Sequence, residues 1–288
     1  MSTVTADQTV PLSWGMKDPE QRLCVRGGRF TRVNGAFSLL LGATLTVVFY
    51  LSLIPFDRYY FAETFLRRGP IPYVIVLLSC WSASILAVKY LKLRLQRLTL
   101  AHSVVPSDPD FVLSPATVEE VMHRIYQTVD DPKKFVLFNR IVIALSNLRN
   151  LGRVSDVDDI LRAQAENDEA AMETSYHLVQ GFVWAIPVLG FIGTVLGLSQ
   201  AIGGFGSVLS STSDLGELKP ALQQVTAGLA VAFETTLHGL VGALVIQLWM
   251  TALKIAEEEF LDGCGEYCLR QVVGRLRLLP FEGKADPP

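Results

Sequence analysis

The stretch FETTLHG, residues 233–239, places a carboxylate (Glu234), two hydroxyls (Thr235 and Thr236) and an imidazole (His238) inside a segment otherwise apolar enough for a lipid bilayer. An ionisable side chain in hydrocarbon costs about 3 kcal/mol or more, so the four groups need a chemical or structural reason. Glu234 and His238 stand at i, i+4 on one helical face, and each lies about 160° from Thr236. Such a pair can relay protons or admit ions. It can equally be a bonded couple tying this helix to Ser79, Ser82 or Ser84, or to Thr44 or Thr46. Thr235 lies about 100° from Thr236. It can back-bond to the carbonyl of Val231.

An upstream segment, AIPVLGFIGTVLGLSQAIGGF, carries the matching feature. Pro187, Gly190, Thr194, Gly197 and Ala201 recur at steps of three or four, which is one helix face. Leu229, Ala232, Thr236, Gly239 or Leu240, and Ala243 form a comparable stripe downstream. Helices striped with small residues can pack closely in a membrane, or they can line a narrow lumen. A threonine in the middle of each stripe favours the lumen.

Composition supplies the elements that must position these groups. Half of the 288 residues are apolar and 18% are charged, against about 25% charged in soluble domains. The net charge of −3 disfavours a nucleic-acid partner, which would need a basic face. Cys24, Cys80, Cys264 and Cys268 are expected to be reduced thiols, because no histidine stands near the last two to complete a zinc set. No phosphate loop, metal cluster or nucleophile triad is apparent, so no enzymatic activity and no cofactor are expected.

Four spans are predicted, at 35–54, 71–91, 179–204 and 222–250, each able to cross a hydrocarbon core of about 30 Å. The first lies behind 34 mostly polar residues and precedes PFDRYY, unlike a cleaved signal peptide. Basic residues crowd 1–34, and the second span runs into Lys89, Lys92, Arg94 and Arg97, whereas the 205–221 connection has Lys219 alone against Asp214 and Glu217. Arg58, Arg67 and Arg68 in the 55–70 loop soften that contrast without reversing it. The positive-inside rule then puts 1–34, the 92–178 insert and the 251–288 tail in the cytoplasm, and 55–70 and 205–221 in the periplasm.

The insert reads as helical. Ser114 or Thr117 is a candidate N-cap with Pro115 in the first turn, a second helix restarts after Pro132 and stops at Gly152, and a third opens at Ser155. Nothing breaks the third before Gly181, so one long helix running into the third span is expected. The fourth span likewise extends into the tail, with an interruption at Gly263 or Gly265. There Leu269, Val272, Val273, Leu276 and Leu279 form an apolar face for packing against other helices.

PVLGFIGTVLGL followed by GLAVAFETTLHGLVGAL resembles the MotA/TolQ/ExbB family of ion-channel subunits, over about residues 180–280. The residues carrying the likeness are Pro187, Gly190, Gly193, Thr194 and Gly197, then Gly228, Ala230, Ala232, Thr236, Gly239 and Leu240. The four-span arrangement is similar to the MotA branch, while GFIGTVLGL is nearer to TolQ and ExbB. The resemblance implies an all-α integral membrane protein that forms a homopentameric ring. Two copies of a MotB/TolR/ExbD-like single-span protein, each with an essential aspartate, would sit inside it. Thr194 and Thr236 would then line the path of H+ or Na+ in a bacterial inner-membrane motor, with Thr235 as a further sodium ligand. Glu234 and His238 lie outside the matched pattern. The rival readings are a proton-coupled transporter with a Glu234/His238 midplane site, disfavoured because the two hairpins are dissimilar, and a membrane scaffold.

Overall fold

The computed structural model describes residues 11–22, 27–28, 30–106, 108, 111–151, 154–211 and 215–276. In chain order the helices are α1 (Trp14–Lys17), α2 (Pro19–Arg22), α3 (Gly35–Leu53), α4 (Tyr60–Leu66), α5 (Ile71–Arg97), α6 (Val118–Thr128), α7 (Val136–Leu151), α8 (Val154–Thr174), α9 (His177–Ser211) and α10 (Leu215–Gln271). Short 3₁₀ turns separate several of them. Among the described residues the only extended pairings are isolated bridges, Leu12 with Val129 and Leu113 with Leu276. Four helical segments are long and apolar enough to cross a membrane, and they contain the four predicted spans. The chain divides into two compact units.

One unit comprises 35–87 and 176–253, and so holds α3, α4, most of α5, α9 and the first part of α10. The helix α3 meets α5 at a glycine. A Cβ on Gly42 would stand 2.6 Å from Cα of Trp81, a separation only glycine permits, and the Trp81 indole N–H donates to the Ser38 hydroxyl at 3.1 Å. A core of Leu53, Ala62, Phe65 and Val76 seats α4 against α3 and α5. Ile75, Ile186 and Ala243 join α5, α9 and α10. The unit leaves large apolar side chains exposed, Leu40 at 70% and Trp184 at 79% among them, as expected of a surface that meets lipid or another protein rather than water.

The other unit comprises 1–34, 88–175 and 254–288. Here α7 packs on α8 and on α6, and Gln96 holds the entry to α7: its Oε1 accepts from Val136 N at 3.1 Å while its Nε2 donates to Lys134 O at 2.7 Å. Asp130 binds α1, accepting from the N–H groups of Trp14 (2.9 Å) and Gly15 (3.0 Å) and from the Ser13 hydroxyl (3.0 Å). Burial pushes its carboxyl up. Those donors, with the N–H of Asp131, outweigh the burial and hold it below the usual carboxylate range. Lys89 and Lys92, counted in the sequence as orienting surface charges, are 1% and 0% exposed. Lys92 pairs with Glu20 and Asp18. Lys89 pairs with Glu257 at 3.2 Å and donates to the hydroxyls of Ser175 (2.9 Å) and Thr31 (3.3 Å). Arg140 reaches Asp168 at 2.6 Å. Buried charges stand here because each is paired.

Several boundaries differ from the sequence reading. The helix expected to run unbroken from Ser155 past 178 divides at Ser175 and Tyr176 into α8 and α9. At that break the Ser175 hydroxyl turns back to Met172 O and accepts from Lys89, so side-chain bonds compete with the helical ladder. Ser155 falls inside α8 instead of capping it. Thr117 takes the N-cap position of α6 with no side-chain cap bond to the helix, and Pro115 sits in the preceding turn. Gly263 and Gly265 do not interrupt α10, because Phe260, Leu261, Cys264 and Cys268 around them form one buried face that holds the helix through Gln271. Of the tail's apolar stripe, Val272 is buried and Leu269 exposed. The 55–70 segment contains α4, and the helices α9 and α10 extend well into 205–221. Cys24, Gly152 and Leu279 lie outside the described residues.

Candidate functional site

The small-residue stripes of α9 and α10 meet each other. A Cβ on Gly190 would lie 2.9 Å from Thr235 O, 3.2 Å from Thr236 Cα and 3.4 Å from Gly239 Cα. One on Gly228 would lie 2.6 Å from the Ala201 methyl, and one on Gly197 would lie 3.2 Å from Gly228 O and 3.4 Å from Ala232 Cβ. One on Gly193 would lie 2.7 Å from Thr235 Oγ1. Glycine is needed at Gly190 because the neighbouring atoms are backbone and cannot swing aside. Close packing is thus what the stripes do within one chain, while Pro187 sits inside α9 and Leu240 projects outward, 55% exposed.

The close approach gathers oxygen. Thr194 and Thr236 bond hydroxyl to hydroxyl across the seam, and either can be the donor. Thr194 also reaches Ala232 O at 3.0 Å and Gly190 O at 3.3 Å, and Thr236 reaches Gly190 O at 3.2 Å. Thr235, itself buried, donates to Ala232 O at 2.9 Å and stands 3.5 Å from Gly190 O. Its back-bond therefore goes three residues back, not to Val231. Each hydroxyl carries one proton and two lone pairs, so the three hydroxyls and two carbonyls hold more acceptor capacity than protons. Such a set can reorient around a proton donor or a hard cation without a fixed charge to trap it.

Glu234 and His238 turn toward a different element. Glu234, 8% exposed, takes a two-point contact from Arg68, with Nε 2.9 Å from Oε2 and Nη2 3.4 Å from Oε1. The Tyr60 hydroxyl donates to Oε1 at 2.6 Å. The His238 Nε2 lies 3.3 Å from the Thr64 hydroxyl, and its ring stacks on Phe65 at 4.1 Å. Thr64 has already given its one proton to Phe61 O at 2.8 Å, so Nε2 carries the hydrogen and donates, leaving Nδ1 buried without a partner among the described residues. None of the anticipated partners on the spans bonds the pair. The Ser79 hydroxyl is buried without a hydrogen-bond partner among the described residues. Thr44, Thr46, Ser82 and Ser84 each bond a carbonyl of their own helix.

Residues 137–262 match the sequence model of the MotA/TolQ/ExbB proton channel family. That stretch of the chain is similar to this family. Nothing matches the chain among curated proteins or among solved structures.

The MotA/TolQ/ExbB match takes in α8, α9, nearly all of α7, all five seam oxygens, and Glu234 with His238. It stops short of α3, α4 and α5. Sequence reasoning missed Tyr60, Thr64, Phe65 and Arg68 for the same reason: they lie outside the recognisable motif, in a connection whose shape no periodicity announces. One signal was present. Arg58, Arg67 and Arg68 cluster where the charge rule disfavours arginine, and a basic residue beside a span is a natural partner for an intramembrane carboxylate.

Proposed function

We propose that this chain is the channel-forming subunit of a rotary motor that couples H+ or Na+ flow across a bacterial inner membrane to mechanical work. Both termini are cytoplasmic. Five copies form a ring whose inner wall is built from α9 and α10, and two copies of a single-span partner stand inside it, each carrying an essential aspartate. Thr194 and Thr236 face that aspartate with Thr235 behind them. Ion flow alternately neutralises the two aspartates, and the ring steps around the partner. No residue is assigned a catalytic role.

The observation that carries the proposal is the uncharged oxygen cluster at a glycine-tight seam of two apolar helices, inside the stretch matched to a proton channel family. Hydroxyls solvate a passing ion or a protonating carboxylate and release it again. A transporter centred on Glu234 and His238 is less well supported, because Arg68 and Tyr60 already occupy the carboxylate. A scaffold would leave the hydroxyl cluster without a role. Native mass spectrometry of the chain purified with the product of the adjacent gene tests the assembly: five copies with two is expected, and a monomer or another ring size contradicts it.

A further inference from the structure

We infer that Arg68 is the permanent counter-ion of Glu234, making this carboxylate a fixed anion that latches the 57–70 connection onto α10 and not a carrier of protons. A lone carboxyl this deep in an apolar helix would take up a proton, because burial penalises the charged form. Glu234 is not alone. Arg68 Nη2 and the Tyr60 hydroxyl both donate to Oε1, and Arg68 Nε stands 2.9 Å from Oε2 as an ion-pair contact. Guanidinium stays charged at any accessible pH and its planar fork fits a carboxylate in two-point geometry.

The surroundings reinforce the assignment. The ionisable groups facing the centre are Tyr60 and Glu63 from α4, Arg68 from the segment after it, and His238 from α10 itself. Among the described residues no charged group of α3, α5 or α9 forms an ion pair with Glu234. Glu63 stands 3.9 Å from Arg68 Nη2, more distant than Glu234, and its side chain is 44% exposed against 10% for Glu234. It therefore competes weakly for the guanidinium. Protonating Glu234 would strand Arg68, whose side chain is only 18% exposed, so proton uptake is opposed from both sides of the pair. His238, held through Thr64 and Phe65, extends the same latch by a further turn of α10. The latch fixes α4 to the helix that carries Thr235 and Thr236, on the face turned away from Thr236.

The inference does not depend on the proposed channel activity, because its test reads the protein whether or not it conducts. The carboxylic-acid C=O stretch is followed by infrared difference spectroscopy on the full-length chain in membranes, between about pH 5 and about pH 9. The comparison set is wild type, Glu234→Gln, Arg68→Gln, Arg68→Lys and the Arg68→Gln/Glu234→Gln double variant. Wild type and Glu234→Gln are expected to show the same acid band. Arg68→Gln should gain a band equivalent to one carboxyl per chain, absent from the double variant, and Arg68→Lys should lack it because the charge is kept. An acid band that Glu234→Gln removes from wild type overturns the inference. So does an Arg68→Gln spectrum indistinguishable from wild type, or an Arg68→Lys spectrum carrying the band. If Arg68→Gln does not accumulate in membranes, wild type against Glu234→Gln and Arg68→Lys still decide the matter.

Discussion

Replacing Gly190 by alanine adds one methyl to the α9–α10 seam beside the hydroxyls, where it faces backbone of the other helix. That methyl would sit 2.9 Å from Thr235 O, 3.2 Å from Thr236 Cα and 3.4 Å from Gly239 Cα, against a comfortable separation of about 3.5–4.0 Å. All three are backbone atoms, so one helix must withdraw by roughly half an ångström, and a gap of that size forfeits about a quarter of the dispersion well of each contact along the seam. Overpacking of this kind costs about 1–3 kcal/mol, while alanine regains up to about 1 kcal/mol of helix propensity. The expected net loss is about 0–2 kcal/mol. Gly181→Ala and Gly203→Ala are the controls, since a Cβ at either meets nothing within 4 Å and only the propensity gain remains. Propensity cancels in the comparison, so Gly190→Ala should unfold about 1–3 kcal/mol more easily than the controls. Unfolding by sodium dodecyl sulfate titration in mixed micelles measures the difference. The reasoning is refuted if Gly190→Ala unfolds together with Gly181→Ala and Gly203→Ala.

Lys89→Met strands Glu257 in a buried site and should cost about 3–5 kcal/mol, with most of that restored in Lys89→Met/Glu257→Gln; thermal unfolding of the three proteins measures it, and a double variant no better than the single one contradicts the pairing. Asp130 is held below the usual carboxylate range, so its hold on α1 is complete above about pH 4 and is lost as pH falls through its lower folded value. Asp130→Asn should accordingly show a weaker acid-side loss of stability than wild type in a pH series of melting temperatures, and parallel acid limbs would contradict the assignment.

Much of this fold was legible because bilayer-spanning helices must be long and apolar, and the chain writes that requirement plainly at 35–54 and 71–91. The stripes were legible as well, but not how they are used: the threonines favoured a lumen, whereas within one chain Gly190, Thr194, Thr236 and Gly239 pack together. What escaped was set by side-chain chemistry rather than by periodicity. The break at Ser175 follows from a hydroxyl competing for Met172 O beside a buried lysine from α5. The continuity of α10 past Gly263 and Gly265 follows from buried neighbours overriding glycine's weak helix propensity. The partners of Glu234 lay in α4 and just after it, in a 55–70 loop whose arginines entered the sequence reading only as a count of charge.

The central claim is that hydroxyls at the α9–α10 seam serve a moving ion. Its most direct test is ion uptake by proteoliposomes containing the chain purified with its adjacent-gene partner, under an imposed H+ or Na+ gradient and membrane potential. Wild type, Thr194→Val, Thr236→Val and a variant with the partner's aspartate changed to asparagine are compared, all assembled to the same stoichiometry. The account predicts uptake by wild type and loss of at least tenfold in each of the others. Equal uptake in wild type and both threonine variants, or none from the wild-type complex under either gradient, would contradict it.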